Sequence, residues 1–296
     1  ETRGEVLTID DEGDIHVTGE LVNIGAQPLT VNGLAAAAFD VNGEIVTADF
    51  MDAAIRYLDP GESGPFRITM IRPIESVESV ASYELYSDVI PAQEEETVEL
   101  IFSENQYPYI DTFDSFHLVG EITNNADKVL NISMIAAIYD AEGNVIDASA
   151  QDIFVSAAPG ETLPFDFDSW GPLNYSAAAI AKADTYSVQW DPYWTWESPF
   201  EYVNLTTQND NNQYDDFQGI FTGEVVNTSG ELINSVIVIV SLYDQASGEI
   251  IATDYTGIWD EIPDGGSSSY TVAVDLEPEF DPESVEYVII VKGELP

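Results

Sequence analysis

The chain has 296 residues, 45% of them hydrophobic, and its 55 acidic against 7 basic side chains give a formal net charge of −48. Nucleic acids and anionic membrane surfaces are poor partners, because both bind through clustered lysine and arginine. No cysteine is present, which excludes disulfides, thiolate catalysis and zinc ribbons. Such a charge needs screening, so we expect a high-salt habitat or bound cations, with simple solubility of a surface protein as the alternative.

The sequence begins at Glu1 without a methionine, and it contains no apolar leader and no apolar run of membrane-spanning length. We expect a mature chain from which a signal peptide has been removed, with no membrane span. The expected location is outside the cell, at its surface.

From the N-terminus onward, a fixed series of landmarks recurs three times, with a period of roughly a hundred residues. The first landmark is a Gly-Glu-apolar-x-Asn strand, which starts at Gly19, Gly120 and Gly223 and ends at Asn23, Asn124 and Asn227. The second is an apolar strand that ends in an aromatic-Asp step, at Phe39-Asp40, Tyr139-Asp140 and Tyr243-Asp244. A turn with glycine follows, at Gly43, Gly143 and Gly248.

The later landmarks keep the same order. After a second apolar strand, a turn begins at Pro60, Pro159 and Pro263. The next strand carries an aromatic residue, at Phe66, Phe165 and Tyr270, and the last strand centres on Tyr83, Tyr186 and Tyr287. A series of this length, repeated three times, identifies an internal repeat.

The pattern of each repeat predicts β structure, because apolar and polar residues alternate with period two, as they do over 16–23. Short strands separated by Asn-Gly, Glu-Gly and Pro-Gly turns are typical of a sandwich. We predict an all-β chain of three tandem immunoglobulin-like β-sandwich domains, over residues 1–92, 93–196 and 197–296, with separate cores joined end to end. Linkers are expected near 90–97 and 190–200, and the alanine-rich stretch 172–184 is the one doubtful segment.

The landmarks resemble those of the FxLYD domain family. The third repeat carries Leu242-Tyr243-Asp244, the second Ile138-Tyr139-Asp140 and the first Ala38-Phe39-Asp40, each after a Gly-Glu strand. The resemblance covers nearly the whole chain in three copies. It implies an immunoglobulin-like sandwich in exported bacterial or archaeal surface proteins, and it implies no catalytic residues.

The two histidines, His16 and His117, lie three residues before the glycine of their repeats, where the third repeat has Ile220. On an alternating strand His16 faces away from Val17 and Gly19. We interpret both as sheet residues on an outer face, with a metal or pH-switch role as the alternative. Two histidines in different repeats argue against a histidine-based catalytic triad.

Residues 190–200, at the predicted junction of the second and third domains, are the densest aromatic segment. These rings could fix the angle between the domains, contact a neighbouring subunit, or stack on a sugar ring. The candidate interface or binding residues are Trp190, Tyr193, Trp194, Trp196 and Phe200.

Three acidic clusters, at 10–14, at 94–96 and at Asp210 with Asp215 and Asp216, invite a calcium hypothesis, since Ca²⁺ is held by oxygen ligands. The candidate ligands are Asp10, Asp11, Asp14, Asp215 and Asp216. None of the clusters has the spacing of an EF-hand, so ordinary solvated loops are the alternative. Beyond Ca²⁺ or another cation bound there, we expect no cofactor.

Four N-x-Ser/Thr sequons are candidate glycosylation sites, at Asn131, Asn174, Asn204 and Asn227. Asn227 ends a strand of the repeat, so its side chain is also a candidate for capping a turn. If the sites are used, glycans are further partners of the chain.

Glycoside hydrolases use a pair of carboxylates, but in a chain with so many acidic residues such a pair does not indicate this activity. We expect no enzymatic activity. We predict an extracellular structural protein, the repeating subunit of a cell-surface filament or layer that joins copies of itself head to tail through sandwich edges. Residues 1–10 are a candidate strand for pairing with the preceding subunit. The alternatives are a secreted adhesin or carbohydrate- or solute-binding module that uses the aromatic junction, and an inert spacer.

Overall fold

The computed structural model describes residues 1–9, 13–50, 53–71, 80–92, 98–113, 115–168 and 183–296, with the backbone alone at 53–54. Throughout these ranges the chain consists of antiparallel strands and contains no helix, which confirms the prediction of an all-β, sandwich-like fold. None of these residues forms an apolar helix long enough to cross a membrane. Most of the doubtful stretch 172–184 lies outside the described residues.

The first repeat forms two sheets. One has the order β1-β2-β7-β5, and in the other β3 pairs with β4, β6 and β8. The strands are β1 (Thr2–Ile9), β2 (Ile15–Val22), β3 (Leu29–Phe39), β4 (Ile45–Phe50), β5 (Ala53–Ala54), β6 (Tyr57–Leu58), β7 (Ser63–Met70) and β8 (Ser82–Pro91).

The second repeat has the same plan. The central strand β11 pairs with β9, β10 and β15, a second sheet has the order β14-β13-β16, and β12 pairs with β17. The strands are β9 (Leu100–Phe102), β10 (Tyr107–Ile110), β11 (Phe116–Asn124), β12 (Leu130–Asn131), β13 (Ser133–Tyr139), β14 (Val145–Asp152), β15 (Thr162–Asp168), β16 (Thr185–Trp190) and β17 (Trp196–Glu197).

The third repeat has sheets of order β19-β20-β23 and β18-β24-β21-β22. Its strands are β18 (Tyr202–Asn204), β19 (Thr206–Tyr214), β20 (Gln218–Val226), β21 (Ser235–Asp244), β22 (Ile250–Ile258), β23 (Ser267–Asp275) and β24 (Val285–Glu294). In each repeat we name the sheet that contains the Gly-Glu strand (β2, β11 or β20) the GE sheet. The sheet that contains the aromatic-Asp strand (β3, β13 or β21) is the YD sheet.

The chain forms two compact units, one of residues 1–97, 132–152 and 169–195, the other of residues 98–131, 153–168 and 196–296. The YD sheet of the second repeat belongs to the first unit, and its GE sheet belongs to the second unit. In the first unit β14 lies over β2 and β7, and Ile135 and Val145 share one buried cluster with Ile68. Consecutive repeats therefore meet sheet to sheet there, which differs from the end-to-end junction that we expected. The division into three domains stays a prediction.

The repeated glycine is required by a close cross-strand contact. Gly120 lies opposite Phe165 in the register of β11 and β15, and a Cβ at Gly120 would lie 2.5 Å from the Phe165 ring. Gly19 has the same relation to Phe66, at 2.9 Å. The aromatic ring thus packs across a residue without a side chain, which explains why the two landmarks recur together.

The repeated asparagine holds two loops of its repeat together. Asn124 is fully buried, and its Nδ2 donates to the carbonyl oxygens of Lys128 and Ala157 at 2.7 and 2.8 Å. Its Oδ1 accepts from the backbone N–H of Ala126 at 2.9 Å. Asn23 and Asn227 make the equivalent bonds in their repeats.

Candidate functional site

The same contact joins consecutive repeats in both units, and it uses the landmark residues. The Tyr139 hydroxyl of the second repeat donates to Glu20 of the first at 3.0 Å. The Tyr243 hydroxyl of the third repeat donates to Glu121 of the second at 2.9 Å. In both cases the tyrosine of the aromatic-Asp step reaches the glutamate of the preceding Gly-Glu strand. The junction is therefore a repeated interface between a YD sheet and a GE sheet.

Polar residues complete this junction in the first unit. The Thr18 hydroxyl is buried and donates to the carbonyl oxygen of Val145. Arg67 and Asp147, both nearly buried, form an ion pair with 3.5 Å between Nη1 and Oδ1. Burial, together with the charge of Glu20, raises the pKa of Tyr139 to about 12, so its hydroxyl remains a donor at physiological pH.

In the second unit the corresponding junction contains a cluster of acidic side chains around one imidazole. His117 Nδ1 lies 2.7 Å from Asp166 Oδ2, and His117 Nε2 lies 3.5 Å from Asp111 Oδ2. One ligand atom each of Asp111, His117 and Asp275 lie within 4.8 Å of one another. The Tyr109 ring stacks on the imidazole, with the ring centroids 4.5 Å apart and the planes 8° from parallel.

Two local structures position the carboxylates of this cluster. Asp111 follows β10, and its Oδ1 accepts from the backbone N–H groups of Phe113 and Ser115 at 2.8 and 2.7 Å. Asp275 ends β23, where its Oδ1 accepts from Gln218 Nε2 at 2.6 Å. The turn after β10 and the end of β23 thus fix one oxygen of each carboxylate.

Burial and mutual charge shift the protonation of these groups. Burial alone lowers the pKa of His117, but the hydrogen bond and charge of Asp166, with the charges of Asp168 and Asp111, raise it to about 9. Burial is also the main reason why the pKa of Asp254 rises to about 7, and the charges of Asp166 and Asp275 raise it further. The cluster is therefore short of positive charge, and it can gain that charge by binding protons or a cation.

The two equivalent histidines differ in their surroundings. Both lie on the face of a GE sheet that points away from its core, and both are buried. His16 Nδ1 faces the Thr69 hydroxyl at 3.2 Å, whereas His117 faces carboxylates. The sequence identified His117 as a metal candidate, but it did not identify Asp111, Asp166 or Asp275.

The loops predicted to bind calcium differ from this cluster. Asp10 and Asp11 lie outside the described residues, and Asp14 is half-buried. Asp215 is exposed, and its Oδ1 accepts from the backbone N–H groups of the two turn residues Phe217 and Gln218. Asp215 thus caps a turn, and neither it nor the neighbouring exposed Asp216 belongs to the ligand group found in the described part of the chain.

The predicted aromatic segment is exposed in large part. Tyr193, Trp194, Trp196 and Phe200 are exposed and Trp190 is half-buried. The rings of Tyr193 and Trp194 pack edge to face, with their centroids 5.2 Å apart. In the first unit the Arg56 guanidinium lies 5.1 Å from the Trp194 centroid. The predicted role of these rings between domains stays a prediction.

The sequons fall in different environments. Asn204 is exposed at the end of β18, and Asn131 is half-buried in β12. Asn174 lies outside the described residues. The Asn227 side chain is buried, and its Nδ2, the atom that a glycan would need, donates to the carbonyl oxygens of Glu231 and Ile262. In the folded chain the Asn227 side chain therefore caps a turn, which is the alternative to glycosylation given above.

Comparison with known proteins adds little to these observations. No family model and no curated protein matches the chain. Among solved structures, a calcium-binding mutant of Bacteroides uniformis beta-glucuronidase 2 is similar over 84% of this chain and 26% of that one, at 9% identity and a TM-score of 0.17. The chain spans about a quarter of that structure, and a TM-score this low supports no conclusion about fold or function. The resemblance to FxLYD domains stays a prediction.

Proposed function

We propose that this protein is a non-catalytic, extracellular structural subunit that polymerises head to tail into a surface filament or layer. The repeated interface between YD and GE sheets is the observation that supports this proposal. It joins the first repeat to the second and the second to the third through equivalent residues, Tyr139 with Glu20 and Tyr243 with Glu121. Among the described residues, the YD face of the first repeat and the GE face of the third repeat take no part in these two junctions.

The face at the beginning is the outer face of the YD sheet of the first repeat, which we name the leading face. Ala35 lies between its register partners Phe50 on β4 and Tyr86 on β8, so the three side chains share this face. It points away from the core side, where Leu34 and Ala36 are buried. Phe50 and Tyr86 are 70% and 52% exposed, and the Tyr86 hydroxyl donates to the exposed Glu84 on the same face, so this surface offers a partner two rings beside a carboxylate.

The face at the end is the outer face of the GE sheet of the third repeat, which we name the trailing face. It presents Thr222 and Glu224, since Phe221 on the same strand points into the core. Thr18 and Glu20 occupy the equivalent positions in the first repeat, where they bind the second repeat. The trailing face therefore has the residue types that receive a YD sheet within the chain.

The partner that fits both faces is a second copy of this chain. A contact from the leading face of one copy to the trailing face of the next is heterologous, and such contacts continue into open assemblies. The leading face has Phe39 where the other repeats have Tyr139 and Tyr243, so it lacks the hydroxyl that binds glutamate. Glu224 instead accepts from Gln208 Nε2 at 2.8 Å. We therefore expect the contact between copies to be weaker than the junctions within the chain.

This mechanism replaces the strand addition that we expected from the sequence. Residues 1–10 were a candidate strand for the preceding subunit, but β1 pairs with β2 of its own sheet. Its backbone N–H and C=O groups on that side are therefore satisfied within the chain. Packing of sheet faces, which already occurs twice within the chain, is the mechanism we propose.

The proposal is tested by assembly of purified protein in about 1 M KCl, where screening is strong. We expect sedimentation velocity to show large species, and electron microscopy to show fibres or sheets, for the wild type. Tyr86→Asp should abolish assembly, because it removes an exposed ring from the leading face and adds a second carboxylate beside Glu84. Ile24→Asp is the matched control, since Ile24 is exposed in a loop of the same repeat.

Two results would contradict the proposal. Assembly of both variants like the wild type would show that the leading face is not the contact. A wild-type chain that stays monomeric at every salt concentration would favour the binding module that uses the exposed rings of Tyr193 and Trp194.

A further inference from the structure

We propose that Asp111, His117 and Asp275 bind one divalent transition-metal ion in the second compact unit. The proposal does not rest on polymerisation, because all three residues belong to one chain and lie within its second compact unit. It differs from the calcium loops that the sequence indicated, both in its residues and in its ligand chemistry.

The spacing of the three side chains suits a small cation. Their ligand atoms lie within 4.8 Å of one another, and His117 Nε2 and Asp111 Oδ2 are 3.5 Å apart. Two ligands at about 2.1 Å from a tetrahedral ion are separated by roughly 3.4 Å. The histidine and Asp111 are thus already at ligand spacing, and Asp275 needs only a small side-chain movement.

Asp166 holds the imidazole in the orientation that metal binding requires. Its Oδ2 lies 2.7 Å from His117 Nδ1, so this nitrogen donates, and Nε2 can supply a lone pair once a metal ion displaces its proton. Ligand histidines are commonly held in this way by a carboxylate. The stacked Tyr109 ring fixes the ring plane.

The unsatisfied atoms of the site point to a ligand independently of the acidic cluster. His117 is only 4% exposed, yet its Nε2 has no hydrogen-bond partner among the described residues. The same is true of Asp166 Oδ1. Buried polar atoms normally have a hydrogen-bond partner, so a nitrogen that has none and lies 3.5 Å from Asp111 Oδ2 points to a ligand that binds between the two atoms.

The charge balance leads to the same conclusion. Asp111 and Asp166 face the two ring nitrogens of His117, and Asp275 offers a carboxylate oxygen to the same group of ligand atoms. At the equivalent junction in the first unit, Arg67 occupies the position of Asp166, because the two face Thr18 and Val119 in equivalent registers. A divalent ion would supply the positive charge that arginine supplies there.

The ligand set selects the class of metal. Imidazole nitrogen binds transition ions such as Zn²⁺, Mn²⁺ or Co²⁺, whereas Ca²⁺ and Mg²⁺ prefer sites made of oxygen atoms alone. One imidazole with two carboxylates therefore favours a transition ion.

The test is a Zn²⁺ titration of the full chain labelled with ¹⁵N at histidine, in excess Mg²⁺ to occupy the acidic surface. The chain has only two histidines, so His16 is an internal control. We expect the Nε2 resonance of His117 to move to the position of a metal-bound nitrogen at one Zn²⁺ per chain, with His16 unchanged. Asp166→Asn should weaken Zn²⁺ binding by about 10–100-fold, and Asp215→Asn, which removes an exposed carboxylate, should not.

An unchanged His117 resonance at saturating Zn²⁺ would overturn the proposal, and would identify a buried imidazolium held between Asp111 and Asp166. Equal movement of both histidines, or binding that excess Mg²⁺ removes, would show adsorption to the acidic surface and would also overturn it. If Asp166→Asn fails to fold, the wild-type titration alone decides between these outcomes.

Discussion

At the scale of single residues, the landmarks of the repeat are structural. Asn124 satisfies two buried carbonyl groups and one N–H, and it does so from the end of a Gly-Glu strand. A side chain with both donors and an acceptor at this length is needed, which only asparagine supplies without a longer stem. Hydrogen bonding therefore explains why the Gly-Glu-apolar-x-Asn motif ends in asparagine.

Asn124→Ala should lower the free energy of unfolding by about 1–3 kcal/mol, because it leaves the carbonyl groups of Lys128 and Ala157 buried without a donor. Urea unfolding of the full chain measures the change. Asn125→Ala is the control, since Asn125 is exposed and its backbone N–H alone bonds to Glu99. Equal effects of the two substitutions would contradict this account of the motif.

At the scale of elements, the turn after each aromatic-Asp step is capped by its aspartate. Asp140 Oδ1 accepts from the backbone N–H groups of Glu142 and Asn144 at 3.0 and 2.8 Å. Gly143 follows with a φ of 83°, which glycine adopts without strain. Hydrogen bonds, chiefly from Asn144, lower the pKa of Asp140, and equivalent bonds lower the pKa of Asp40 and Asp244.

These lowered pKa values predict a pH dependence of stability. A carboxyl group whose pKa is lower in the folded chain stabilises the fold above its unfolded pKa, and this contribution is lost as the pH falls through the folded value. The triple variant Asp40→Asn, Asp140→Asn, Asp244→Asn keeps an acceptor but loses the charge. We expect its urea midpoint to decline less than that of the wild type between about pH 5 and pH 2. Parallel declines would refute the prediction.

The strands themselves were predictable in detail because their signals are local. Period-two alternation located β2, β11 and β20, and the tyrosine-centred strands are β8, β16 and β24. The candidate site was predictable only in part. His117 could be identified from its place in the repeat. Asp111 and Asp275 come from other strands, and no local pattern distinguishes them from the other acidic residues, of which the chain has 55 in all.

At the scale of the whole molecule, a net charge of −48 opposes folding and assembly alike. At the junctions, Glu20 and Asp147 are buried and paired with Arg3 and Arg67, and Glu121 is half-buried. Screening shortens the Debye length from about 10 Å at 0.1 M salt to about 3 Å at 1 M. The stability of the chain must therefore depend on ionic strength.

We expect the urea midpoint to rise when KCl increases from about 0.1 M to about 1 M, because screening weakens repulsion between acidic surfaces. CaCl₂ at matched ionic strength separates screening from binding: a larger rise in CaCl₂ would show specific cation sites. A midpoint that is independent of KCl would mean that the acidic surface contributes only solubility.

The strands, the turns and the threefold repeat follow from local sequence, because alternation, turn glycines and capping aspartates act between residues that are neighbours along the chain. Which sheet faces meet depends on the folded molecule. The Tyr139 and Glu20 side chains are 119 residues apart, and the pairing of Asp111, His117 and Asp275 depends on the packing of separate repeats. Such contacts follow from the shape and charge of whole faces, which no local pattern contains.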